Sequence, residues 1–99
     1  MRIARELVVV ANRGDALLEA ALRGDSERAI TLIEQALHAY RAALTVYTKE
    51  AAPRPWAGVQ NMRGRALTEL AIRSDHMEAK QLLRQAVDGY RVALDTSLA

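Results

Sequence analysis

Residues 13–25 read RGDALLEAALRGD, and residues 63–75 read RGRALTELAIRSD. With an offset of 50 residues, 16 of the 32 positions in residues 13–44 are identical to those in residues 63–94, without a gap. Chance cannot plausibly produce this match. A repeat of this period is typical of stacked helical or strand units, each too small to bury its own apolar face. We therefore treat residues 1–99 as one domain with two repeats, 1–50 and 51–99.

Apolar residues in each repeat recur at intervals of three and four, which is the spacing of a helical face. In repeat two these positions are Ala79, Leu82, Leu83, Ala86, Val87, Tyr90, Ala93 and Leu94. Turn or capping residues interrupt the pattern at 23–26, 51–55 and 73–75. Asp75 and Glu78 have the spacing of a capping box, and Pro55 suits a first helical position. The pattern predicts an all-α fold of four antiparallel helices, about 3–23, 26–49, 55–73 and 76–97.

The junction between the repeats carries a distinctive series of motifs. It reads YRAAL at 40–44, YTKEAAP at 47–53, WA at 56–57 and QN at 60–61, and Gly64, Ala66 and Leu67 follow as small, small and large residues. This series resembles the tetratricopeptide repeat (TPR) family, particularly the extended arrays of bacteria. The resemblance covers almost the whole chain. It implies two tandem helix-turn-helix hairpins in a short right-handed solenoid that binds proteins.

The same resemblance implies a concave groove lined by the first helix of each repeat. The corresponding positions are Val8, Ala11, Asp15, Leu18, Glu19, Gly58, Asn61, Arg65, Thr68 and Glu69. Among them, only Asn61 and Arg65 suit a clamp for a peptide carboxylate. The alternative for Arg65 and Glu69, four residues apart, is an ion pair on the helix surface.

Gly14 and Gly64 occupy equivalent positions inside predicted helices. Glycine costs about 1 kcal/mol there relative to alanine, so its presence in both repeats indicates a close approach between helices. We also assign Tyr40, Tyr90 and Trp56 to packing within or between the repeats, in preference to stacking on nucleic-acid bases.

Both terminal helices carry apolar residues where the end of a solenoid is usually polar. The residues that we expect to support self-association are Ile3, Leu7, Val8, Val10, Leu83, Val87 and Leu94. Head-to-tail stacking of these ends produces a ring or a helical fibre. The sequence therefore predicts a non-catalytic scaffold that forms homo-oligomers. The alternative is a monomeric adaptor, or a fragment of a longer array, that binds a peptide or protein in its groove.

Charge and composition argue against other functions. The 14 basic and 12 acidic residues are interspersed, unlike the one-sided basic surface of a nucleic-acid binder. His38 and His76 lie on different predicted helices without a neighbouring ligand, so we expect both at the surface. No nucleophile elbow or phosphate-binding loop occurs in the sequence. We expect no catalytic residue, metal, cofactor or membrane span. The chain as written has no export signal, which slightly favours the cytoplasm.

Overall fold

The computed structural model describes the backbone of residues 2–24 and 26–98 and the side chains of residues 10–24 and 27–96. Over this backbone it contains four helices, α1 (Arg2–Arg23), α2 (Ser26–Leu44), α3 (Pro53–Ile72) and α4 (His76–Leu98), and no strand. The prediction of an all-α fold with four helices is confirmed for this part of the chain. None of these helices, over the described residues, combines the length and apolarity that crossing a membrane requires.

Helix α2 is shorter than the sequence pattern predicts, because it ends at Leu44 and not near residue 49. The hydroxyl of Thr45 donates a hydrogen bond to the carbonyl of Ala42 at 2.6 Å. Further on, the Thr48 hydroxyl accepts a hydrogen bond from the N–H of Ala51 at 3.1 Å. Such bonds between side chains and nearby backbone compete with helix formation, so the connection to α3 starts earlier.

Helix α3 begins at Pro53, two residues before the predicted start at Pro55. Proline is tolerated in the first turn because its missing N–H would have had no partner within the helix. The start of α4 agrees with the prediction. The carboxylate of Asp75 accepts a hydrogen bond from the N–H of Glu78 at 2.9 Å, which is one half of the capping box. The equivalent Asp25 lies outside the described residues.

Packing follows the order of the helices in the sequence. Helices α1 and α2, α2 and α3, and α3 and α4 pack together, and α1 also touches α3. Within the described residues, α4 contacts α3 alone. The central core is rich in alanine and consists of Leu18, Ala21, Ala29, Ile33, Ala36, Tyr40, Ala43, Val59 and Ala66. Helix α2 contributes most of these residues and packs between α1 and α3, just as α3 packs between α2 and α4.

Candidate functional site

Glycine allows an unusually close contact between a tyrosine and the preceding helix in both repeats. A Cβ atom added to Gly14 would lie 2.7 Å from Cε1 of Tyr40, and one added to Gly64 would lie 3.0 Å from Cε1 of Tyr90. Real Cβ atoms essentially never approach another heavy atom below 3.0 Å. The close approach that the sequence predicts at Gly14 and Gly64 is therefore a contact between helix backbone and tyrosine ring.

Tyr40 is fully buried, and its hydroxyl has a charged acceptor. The hydroxyl donates a hydrogen bond to Oδ1 of Asp15 at 2.6 Å. Burial raises the pKa of Tyr40 well above its ordinary value, and the negative Asp15 carboxylate raises this pKa further. The positive charge of Arg65 acts in the opposite direction on the same pKa. Asp15 on α1 and Arg65 on α3 therefore act in opposite directions on the pKa of one buried tyrosine.

The raised pKa of Tyr40 predicts a loss of stability at alkaline pH. Below the unfolded-state pKa of about 10, both states hold the proton. Above it, the unfolded state loses its proton while the folded state keeps it, so the free energy of unfolding falls by up to about 1.4 kcal/mol per pH unit. Urea denaturation between about pH 8 and about pH 11 should show this decline, and Tyr40→Phe should be less steep by that amount. Equal slopes for the two proteins would contradict it.

A cavity of about 300 Å³ lies beside the Asp15–Tyr40 pair, between α1, the connection and α3. Three of the residues predicted for the concave groove line it, namely Ala11, Asp15 and Gly58. Tyr40, Tyr47 and Met62 complete much of the remaining wall. The structure thus brings part of the predicted groove together, at the junction between the two repeats.

Other predicted groove residues have different surroundings. Leu18 is 1% exposed and belongs to the core, so its assignment to an open groove surface was wrong. The hydroxyl of Thr68 donates to the carbonyl of Gly64 at 2.9 Å. Glu69 forms an ion pair with Arg73 at 2.9 Å, in place of the pair suggested with Arg65. Glu19, Asn61 and Arg65 are exposed, and Val8 lies outside the described side chains.

Trp56, the remaining residue assigned to packing, is half-buried at the start of α3. The Nζ atom of Lys49 lies 6.0 Å from the centre of its ring, which is the outer range of a cation–π contact. The tryptophan therefore contacts the connection between the repeats.

The residues predicted for self-association divide between the two terminal helices. On α1, Ile3, Leu7 and Val8 lie outside the described side chains. Val10 is partly buried and packs against the core, and its part in self-association stays a prediction. On α4, however, Leu83, Val87 and Leu94 are 44%, 52% and 59% exposed.

Comparison of equivalent positions explains this exposure. We define the α4 face as Leu83, Val87, Tyr90 and Leu94, and the equivalent α2 face as Ile33, Leu37, Tyr40 and Leu44. Ile33 and Tyr40 are fully buried, while Leu37 and Leu44 are partly buried against the core. All four residues of the α4 face are exposed. The sequence analysis predicts only a packing role for Tyr90. Its equivalence to Tyr40 in the repeat places it on the α4 face as well.

No group of three or more His, Asp or Glu side chains among the described residues could hold a metal ion. His38 and His76 are both exposed, as the sequence predicts. Comparisons with protein-family models, curated proteins and solved structures find no match to this chain. Among the described residues, we infer a function from the α4 face, because all four of its large apolar side chains are exposed.

Proposed function

We propose that this chain is a non-catalytic, TPR-like interaction module that assembles head to tail with other copies of itself. In this assembly, α1 of one copy covers the α4 face of the next. The observation that carries the proposal is the difference in exposure between the two equivalent faces. The α2 face is covered by α3, whereas the α4 face has similar residue types and is exposed. Helix α1 is the equivalent of α3, since each is the first helix of its repeat. Because α3 covers α2, we expect α1 of another copy to cover α4.

The packing of the helices supports a solenoid with antiparallel neighbours. A Cβ on Gly89 would lie 3.2 Å from the carbonyl oxygen of Gln60, and a Cβ on Gly64 would lie 3.2 Å from that of Ala86. The earlier residue of α3 thus meets the later residue of α4. Because helices contact mainly their neighbours in sequence, an added helix of the α1 type continues the same stacking.

The register of the repeats also identifies the surface of α1 that would meet α4. On α3, the residues that pack against the core in a helical stripe are Val59, Met62, Ala66 and Leu70. The equivalent residues of α1, which we call the α1 stripe, are Val9, Asn12, Ala16 and Ala20. Asn12, Ala16 and Ala20 are exposed, and Val9 lies outside the described side chains. Small side chains on this stripe would allow two helices to approach closely.

Energetic considerations predict an assembly that depends on protein concentration. Complete burial of an exposed leucine, valine or similar side chain contributes about 1.5–3 kcal/mol. The four partly exposed residues of the α4 face would therefore contribute on the order of 4 kcal/mol, with a further contribution from α1. Lost translational and rotational freedom opposes association by about 4–15 kcal/mol. Because the gain from the α4 face alone does not exceed this loss, the contribution of α1 is required, and we expect the extent of association to rise with protein concentration.

Sedimentation velocity of the 99-residue chain tests the proposal. The wild-type protein should form species larger than its monomer mass of 10.9 kDa as its concentration rises. The double substitution Leu83→Glu/Val87→Glu places two charges on the α4 face and should abolish these species. Negative-stain microscopy of the wild-type assembly then distinguishes a ring from a helical fibre.

A matched control is Ile72→Glu/Met77→Glu, which adds the same charge at two residues that are 70% and 78% exposed. Their equivalents, Leu22 and Glu27, are also exposed, so stacking of the next repeat does not cover these positions. The control should assemble like the wild type. A wild-type protein that stays monomeric at all concentrations would overturn the proposal. Saturable binding of a peptide by that monomer would then favour the adaptor function.

A further inference from the structure

One pair of equivalent positions in the two repeats carries opposite charges. Asp15 on α1 corresponds to Arg65 on α3. Asp15 accepts the hydrogen bond from the Tyr40 hydroxyl, and the charge of Arg65 lowers the pKa of Tyr40, with no ion pair between Asp15 and Arg65 among the described residues. Arg65 also directly precedes Ala66, which is buried in the core with Tyr40. A carboxylate from one repeat and a guanidinium from the next thus surround one tyrosine.

The same arrangement can be carried over to the contact between two copies. At this contact, Tyr90 of the first copy corresponds to Tyr40, and Arg65 of the first copy corresponds to Asp15. Asp15 of the second copy takes the place of Arg65. The two charges exchange positions but remain opposite in sign, so aspartate and arginine alternate along the whole assembly. An aspartate at both positions, or an arginine at both, would instead have placed like charges at every junction.

We infer that Asp15 of each copy attracts Arg65 of the adjacent copy across Tyr90, and that this attraction sets the register of assembly. The inference rests on the proposed head-to-tail function. Charge pairs across an interface contribute mainly to specificity and to the rate of association. Their contribution grows as the interface excludes water, and the covering of Tyr90 by the second copy would do this.

A second position agrees with this register. Met62 and Asn12 both line the cavity beside Tyr40, and Asn12 is the equivalent of Met62 on the α1 stripe. Tyr90 has an arginine where Tyr40 has its aspartate acceptor, so its hydroxyl needs an acceptor when it becomes buried. The carboxamide oxygen of Asn12 from the second copy can accept that hydrogen bond.

The register also distinguishes this assembly from a two-fold dimer. Contact between two α4 faces would use residues of repeat two from both copies. It would bring no Asp15 to Arg65 and no Asn12 to Tyr90. Beyond the junction within one chain, these opposite charges meet again only when repeat one of one copy follows repeat two of another, which is a heterologous contact.

A double-mutant cycle between two blocked chains tests the inference. One chain carries Leu83→Glu/Val87→Glu, which leaves its α1 stripe free, and the other carries Ala16→Arg, which leaves its α4 face free. These chains can form only one heterodimer through the proposed contact. Within it, Asp15 of the α4-blocked chain meets Arg65 of the α1-blocked chain. The dissociation constant is measured by isothermal titration calorimetry.

Four combinations of the two chains form the cycle. Asp15→Lys in the α4-blocked chain or Arg65→Glu in the α1-blocked chain should each raise Kd about fivefold. Both together restore opposite charges and should leave Kd within about twofold of the starting value. Effects inside each chain occur in the free and the bound state alike, so they cancel in the cycle.

Thermal unfolding of each variant is the control for folding. If Asp15→Lys unfolds the chain, Asp15→Asn replaces it, because the carboxamide keeps an acceptor for Tyr40. This substitution should raise Kd against a chain that retains Arg65, and it should lower Kd against a chain with Arg65→Glu because it removes a like-charge contact. Additive effects in a heterodimer that still forms would overturn the register alone. Absence of a heterodimer between the two blocked chains would overturn the proposed function itself.

Discussion

Tyr40→Ala is expected to lower the free energy of unfolding by about 3–5 kcal/mol, whereas Tyr90→Ala should lower it by about 1 kcal/mol. The two tyrosines occupy the same position in their repeats, and each ring lies against an equivalent glycine, Gly14 or Gly64. Tyr40 is 0% exposed and Tyr90 is 37% exposed. The difference between the variants therefore reports the covering of Tyr40 by α3 together with its hydrogen bond to Asp15.

The loss expected for Tyr40→Ala is large relative to the stability of a small domain, which is about 5–15 kcal/mol. Removal of the ring leaves a cavity in the core, and surrounding helices recover only part of the lost packing. Urea denaturation of both variants at low protein concentration provides the measurement, since dilution removes any contribution from assembly. Equal losses at the two positions would show that α3 does not protect Tyr40.

Gly14→Ala is expected to destabilise the chain by about 1–3 kcal/mol, although alanine is the better helix former. Its Cβ would lie 2.7 Å from Cε1 of Tyr40 and 3.0 Å from Cδ1. Tyr40 is buried on all sides and cannot move away without disturbing the core. The steric cost therefore exceeds the gain of about 1 kcal/mol in helix propensity.

Gly58→Ala is the matched control, because this glycine also lies within a helix but has open space beside it. Apart from its own stretch of helix, no heavy atom lies within 4 Å of the position that its Cβ would occupy. The same substitution should here raise the free energy of unfolding by up to about 1 kcal/mol. Thermal and urea denaturation of both variants would measure the opposite signs. A stabilising effect of Gly14→Ala similar to that of Gly58→Ala would disprove the tight contact with Tyr40.

The duplicated hairpin presents the same type of apolar surface twice. Repeat two covers the first copy of this surface on α2, and the second copy remains exposed on α4. The exposed α4 face is thus similar in residue type to the α2 face, which the second repeat buries. This is the physical basis for expecting another copy of the chain as the first partner to test.

The amino-acid sequence by itself determined the helical character of the chain, the register of the repeat and the positions of close contact. Spacing of apolar residues defines which side chains share a helical face, and glycine at two equivalent positions indicates where a neighbour approaches. Gly14 and Gly64 were identified in this way. Their partners, Tyr40 and Tyr90, were identified as packing residues without being paired with them.

Only the tertiary structure decided which of the equivalent faces is covered. Periodicity cannot distinguish Tyr40 from Tyr90, since their neighbours in sequence are similar, but α3 covers one of them and no described helix covers the other. The same reason explains the error at Leu18, whose burial depends on contacts with other helices. Local spacing specifies a surface, whereas its exposure depends on residues distant in sequence that pack against it.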